Sequence, residues 1–123
     1  MSRSSWQPPQ RLATAVACVG EDRHVDALLR AALANRRSLA PIEEFCRVRV
    51  VPDGDEISVY SKTGEQLASL SYADALELRP RIEQTIAEEG EMWCDARISG
   101  TESLSAQWRM QIWVYFEDEA AIV

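Results

Sequence analysis

The chain has 123 residues and little of what would give its function away. It contains a single histidine, His24, and three cysteines, Cys18, Cys46 and Cys94, none of them in a Cys-x-x-Cys pair. A zinc site of ordinary ligand spacing cannot be built from these without drawing on carboxylates, so no metal and no other cofactor is expected. The odd thiol count, with no apolar signal core in the polar start Met1–Gln10, reads as reduced cysteines in a cytoplasmic protein. No apolar run approaches the roughly 20 residues that span a bilayer, and no membrane association is expected. Basic side chains are outnumbered 13 to 20, and the net charge of -7 argues against coating nucleic acid by bulk electrostatics. Catalytic signatures are sparse too: there is no Gly-x-Ser-x-Gly, no P-loop and no Rossmann glycine fingerprint. The paired acids Glu43-Glu44 and Glu88-Glu89 sit beside a loop and at a helix end, the ordinary place for solvated glutamates. No enzyme is expected.

What is present is a core's worth of apolar residues, 46% of the chain, and an uneven charge distribution. Residues 1–50 hold eight arginines and five acids, whereas residues 51–123 hold five basic and fifteen acidic side chains. A local anion site in the first half is therefore compatible with an acidic protein; charges that merely keep a small domain soluble are the plainer alternative.

The periodicity predicts six strands and two helical regions. Leu12–Val19 is a short β-prone run, apolar on both faces, which suits a strand covered on both sides. Asp22 can cap a following helix whose stripe is Val25, Leu28, Leu29, Ala32 and Leu33, with Arg36 and Arg37 near its C-terminus and a loop over Ser38–Pro41. Phe45–Val51, Ile57–Ser61 and Gln66–Leu70, joined by turns at Pro52–Asp55 and Lys62–Glu65, read as an antiparallel meander. Ser71 and Asp74 form a capping pair for a helix with Ala75 and Leu78 inward; Pro80 predicts a break near Arg79, then a second piece anchored by Ile82 and Ile86 and stopped at Gly90. Two alternating strands follow. Met92, Cys94, Ala96 and Ile98 lie on one face of the first, and Trp108, Met110, Ile112, Val114 and Phe116 on one face of the second, with a loop over Gly100–Ser105 between them. The expected fold is α+β: a small, mostly antiparallel, OB-like β-barrel with helices inserted after the first and fourth strands. Residues 1–10 read as a flexible segment, 11–117 as one domain and 118–123 as an acidic tail.

Two features carry chemistry. The turn Gly20-Glu21-Asp22-Arg23-His24 combines a flexible glycine, amides at a helix start, a guanidinium and an imidazole, which together can grip an anionic group. Equally, Asp22 can simply cap the helix and Arg23 pair with a neighbouring acid. The second feature is the set Trp93, Trp113 and Tyr115, on the opposite face of the last two strands from the core. Flat rings on a β-surface can stack bases; they can also be covered by the second helix or by another subunit.

The run from Ala15 to Leu28, Ala-Val-Ala-Cys-Val-Gly-Glu-Asp-Arg-His-Val-Asp-Ala-Leu, resembles the opening of a HIRAN domain: a strand, a Gly-Glu turn, two polar or aromatic residues and an Asp-Ala-Leu helix start. Val48–Pro52 and Ile57–Tyr60 resemble the family's second and third strands. Gly64 through Leu70-Ser71, then Ala73-Asp74-Ala75 and Leu78-Arg79-Pro80, resemble its glycine turn, Leu-Ser step and following helix. The similarity spans residues 12–116 in short, degenerate matches. HIRAN domains are OB-like, hold the free three-prime end of single-stranded DNA in replication-associated helicases, and occur alone or beside nucleases in bacteria. The resemblance thus implies a non-catalytic module for nucleic-acid ends in DNA repair or processing. Arg23 and His24 match the pair that contacts DNA in that family, and Tyr72 stands where a basic residue often follows the Leu-Ser step. The family's Asn-Pro-x-Asp-x-Asn-Ala loop is reduced here to Pro52-Asp53-Gly54-Asp55-Glu56, and one of its glycines is replaced by Ala68. The expected partners are a single-stranded DNA end or, alternatively, a protein partner or second copy docking on Trp93, Trp113 and Tyr115.

Overall fold

Alternating apolar residues can bury one face of a strand while the other stays wet, and six such strands can close on themselves. The computed structural model of the protein describes residues 13–33, 42–102 and 108–117. In chain order it contains β1 (Ala13–Val19), a single 3-10 turn (Glu21–Arg23), α1 (Val25–Leu33), β2 (Ile42–Asp53), β3 (Glu56–Tyr60), β4 (Gln66–Leu70), α2 (Tyr72–Glu89), β5 (Trp93–Glu102) and β6 (Trp108–Glu117). The strands close into a barrel in the order β1-β4-β3-β2-β5-β6, with every pairing antiparallel. This is the small α+β, OB-like barrel with helices after the first and fourth strands.

β1, β5 and β6 send one parity inward, whereas β3 buries Ile57, Ser58 and Val59 in a row and β4 buries Leu67, Ala68 and Leu70. Val16 and Cys18, Val48 and Val50, Ile57 and Val59, Leu67, Cys94, Ala96 and Ile98, and Met110, Ile112, Val114 and Phe116 are all buried. α1 adds Ala27, Leu28 and Ala32, and α2 adds Ala75 and Ile82. Burying a side chain such as Ile112 or Leu28 stabilises the fold by roughly 1.5–3 kcal/mol, and a continuous core of this kind is what holds the barrel closed.

β1 is shared between two neighbours. Ala13 to Ala17 pair with Glu117 to Trp113 of β6, and then Cys18 and Val19 pair with Leu70 and Ser69 of β4. At that seam β6 loses its β1 partner, and the carboxylate of Glu21 takes over: its Oε2 accepts the Ile112 backbone N–H at 3.1 Å. One side chain thus satisfies a strand amide that would otherwise lack a partner on that side.

Several local expectations need correction. β1 is covered on one face only, because Ala15, Ala17 and Val19, opposite the buried Val16 and Cys18, are exposed. Asp22 does not cap α1. Gly20, at φ 80°, turns the chain into the 3-10 turn, and α1 starts after it, with the carbonyl of His24 accepting from Leu28 N–H at 2.9 Å. Pro80 does not break α2, which runs unbroken from Tyr72 to Glu89. The bond that Pro80 cannot make belongs to the carbonyl of Leu76, and both residues lie on the exposed side, where water can take its place. Gly100–Glu102 are not loop; they extend β5 and pair with Met110–Trp108. β2 likewise runs to Asp53, leaving the turn at Gly54-Asp55. The Ser71 cap is present: its Oγ accepts from Asp74 N–H at 3.2 Å and donates to Asp74 Oδ2 at 2.9 Å. The segment 1–10, the tail 118–123, Arg36, Arg37 and the loop Ser38–Pro41 lie outside the described residues.

Candidate functional site

Arg23 and His24, from the turn after β1, and Tyr72, the first residue of α2, come together alongside the short strand β4. These three residues share one groove of about 470 Å³, completed by Val19, Gly20, Gln66, Ser69, Leu70, Ala75 and the β2–β3 turn residues Asp55 and Glu56. That volume falls within the roughly 300–1,000 Å³ of small-ligand pockets. Arg23 and His24 also line a neighbouring cleft of about 460 Å³ with Asp22, Asp26, Arg30 and Glu65, so they form a ridge between two hollows.

The electrostatics of the groove are mixed. Among the described residues, Arg23, Asp55 and the Glu56 carboxylate have no ion-pair partner. The turn bearing the two acids is held from behind by Arg79, whose Nη2 donates to the Gly54 carbonyl at 2.9 Å and to the Glu56 carbonyl at 3.4 Å. Arg79 therefore fixes the backbone and leaves the carboxylates free. In the neighbouring cleft the opposite holds: Arg30 Nε lies 3.0 Å from both carboxylate oxygens of Glu65, and Arg30 Nη2 bonds to Oε2. These hydrogen bonds hold Glu65 below its ordinary value and raise Arg30.

Two amides of the turn Gly20–His24 are already used: the N–H of Arg23 donates to the Gly20 carbonyl at 3.1 Å and that of His24 to the Glu21 carbonyl at 2.9 Å, both within the 3-10 turn. Sequence reasoning also missed Glu21 as the cap of Ile112, since no local pattern reports a contact 91 residues away.

Trp93, Trp113 and Tyr115 lie elsewhere, on the outer faces of β5 and β6, and each is half-buried. Trp113 sits opposite Ala17 and Arg97, and Tyr115 opposite Ala15 and Asp95. The Arg97 guanidinium stacks 4.4 Å above the Trp113 ring, and Trp93 Nε1 donates to Glu91 Oε2 at 2.8 Å. Two ion pairs link β2 to β5, Arg47–Asp95 at 3.3 Å and Arg97–Glu43 at 3.6 Å, and a third joins Arg49 of β2 to Glu91, just before β5, at 3.4 Å. Arg49 also lies 5.8 Å above the Tyr60 ring.

The thiols are poor nucleophiles. Burial pushes Cys18 and Cys94 up to about 12 and Cys46 up to about 11, so all three stay protonated at neutral pH. Among the described residues no three His, Cys, Asp or Glu side chains gather as a metal site requires. No helix among them is long and apolar enough to cross a membrane. Comparisons of the chain with protein-family models, with curated proteins and with solved structures found no match.

Proposed function

We propose that this chain is a non-catalytic, cytoplasmic HIRAN-like module that holds the end of a single-stranded nucleic acid in the groove of Arg23, His24 and Tyr72, in DNA repair or processing. The observation that carries the reading is the convergence itself. Three residues singled out from two separate stretches of sequence line one nucleotide-scale groove alongside β4 of an OB-like barrel. Each part suits a strand end: a guanidinium unpaired among the described residues for a backbone phosphate, an imidazole beside it, and an exposed phenol ring on which a base can stack. The acids at Asp55 and Glu56 oppose a phosphate brought to their side, so the strand enters past Arg23 and places its terminus near the turn.

The test is a titration of a fluorescently labelled single-stranded oligonucleotide at low salt. Binding that weakens with salt, weakens again in Arg23→Ala, and is lost when the three-prime hydroxyl is blocked is the expected result. No anisotropy change with protein up to roughly 100 μM, where even non-specific affinities register, overturns it.

A second reading draws on the outer sheet. Trp113 and Tyr115 adjoin the exposed Ala17 and Ala15, and the arginines around them are matched by acids, so this face does not repel a copy of itself despite the net charge of -7. It is a protein-interaction or homodimerisation face. A concentration-dependent dimer in sedimentation, abolished by Trp113→Arg, is its signature; a wild-type monomer at all concentrations removes the homodimer.

A further inference from the structure

Among the described residues, the large apolar side chains left exposed are Val19 (46%), Tyr72 (70%) and Leu76 (62%). They are not scattered. Val19 and Tyr72 line the groove of Arg23, and Leu76 follows Tyr72 by one helical turn on the same face of α2. An apolar rim gathered at the mouth of a polar groove marks a surface that meets something flat and apolar, such as a base. The same groove carries, on the β2–β3 turn, the unpaired carboxylates of Asp55 and Glu56, and the turn is fixed by Arg79 through its carbonyls alone.

A carboxylate only accepts hydrogen bonds, so what meets it must donate. Hydroxyls donate and phosphates do not. Acidic side chains are a recurrent partner of ribose hydroxyls, and a carboxylate, with two oxygens, can accept from both neighbouring hydroxyls of a terminal ribose. From the rim, the acid pair and the free guanidinium together we infer that the groove takes a ribonucleotide terminus. Its base lies on Tyr72 and Leu76, its 2′,3′-diol donates to Asp55 and Glu56, and its 5′-side phosphate meets Arg23. This rests on the end-binding reading above and deepens it: the strand end recognised is that of RNA, or of DNA finished by a ribonucleotide, because the 2′-hydroxyl is the group that distinguishes them. Arg79 is a positioning residue that sets the height of the acid pair.

The experiment compares three 5′-labelled oligonucleotides of one sequence by anisotropy: all-deoxy, all-deoxy with a single three-prime ribonucleotide, and the same ribonucleotide carrying a 3′-phosphate. The single-ribonucleotide end is expected to bind about tenfold tighter than the all-deoxy end, what one added hydrogen bond to a charged acceptor supplies at its lower range. The 3′-phosphate is expected to bind weakest. In the double variant Asp55→Asn/Glu56→Gln, removing two negative charges tightens all three, and the ratio of ribo to deoxy falls to about one; a circular dichroism melt of this variant establishes that it is folded. Arg79→Met, with the acids intact but the turn released, is expected to shrink the ratio without abolishing binding. Equal affinity of wild type for ribo and deoxy ends overturns the ribose inference and leaves end-binding standing. Absence of binding by all three overturns both.

Discussion

The groove end and the outer sheet of this barrel use similar side chains to opposite effect. On the sheet, Arg47 and Arg97 meet acids across the β2–β5 boundary, Arg49 meets Glu91 just before β5, and Arg49 and Arg97 also lie over aromatic rings. At the groove, Arg23, Asp55 and Glu56 share a hollow and pair with nothing among the described residues. Register explains the difference. Arg47 faces Asp95 directly in the antiparallel ladder, so strand geometry delivers the partner. The groove residues come from a 3-10 turn, a hairpin tip and a helix start, and no ladder aligns them. Charges that the fold has already matched hold structure; charges that it leaves unmatched are available to a ligand.

Substitutions can break this contrast. The largest expected effect is at Glu21, which belongs to the groove end by sequence but serves the sheet. Glu21→Ala leaves the Ile112 N–H without its partner and is expected to cost about 1–3 kcal/mol in urea unfolding. Next, Arg97→Ala removes the stacking on Trp113 and the pair with Glu43, for a loss of about 1 kcal/mol. Arg23→Ala is its mirror image: stability unchanged within about 0.5 kcal/mol, while oligonucleotide affinity drops and the salt dependence becomes shallower by roughly one counterion. If Arg23→Ala destabilises as much as Arg97→Ala, the distinction between matched and unmatched charges fails.

Smaller effects sharpen it. Ser71→Ala removes the cap of the helix that carries Tyr72, for about 1 kcal/mol in thermal or urea unfolding. The Arg30–Glu65 pair is matched and lies in an open cleft, with Arg30 exposed and Glu65 half-buried, and here the sign of the pH dependence is fixed. Hydrogen bonds from Arg30 hold Glu65 below its ordinary value of 4.5, so its contribution to stability is present above that pH and is lost as pH falls further. Arg30→Ala is expected to flatten the acid limb of the stability curve slightly, and salt to erase the difference. The thiols act at the other end of the scale: raised by burial from 9.0, Cys18 and Cys94 stabilise the fold below pH 9 and withdraw that support as pH climbs toward about 12.

The barrel is largely legible in the chain because alternation reports burial directly. In β5 and β6 every second residue is apolar, and those from Cys94 to Ile98 and from Met110 to Phe116 all point inward. Where side chains are small, alternation says less. Ala15 and Ala17 count as apolar but lie exposed on β1, since a methyl group gains little from burial. Pro80 misleads for a similar reason: a rule about interior helix bonds ignores that the orphaned carbonyl faces solvent. Of the candidate site, Arg23, His24 and Tyr72 can be named from the chain. That Asp55 and Glu56 complete their groove, and that Glu21 reaches Ile112, depends on closure of the barrel and has no local signature.

Closure itself has a consequence for how the molecule comes into being. Because β1 is paired to β6 from Ala13↔Glu117 to Ala17↔Trp113, the earliest strand waits for the last before it is satisfied on both sides. Until β6 is made, β1 and β5 each present a bare row of amides and carbonyls, a template for pairing with another chain. A fragment ending before Trp108 therefore leaves the edges of β1 and β5 unpaired and cannot close the barrel.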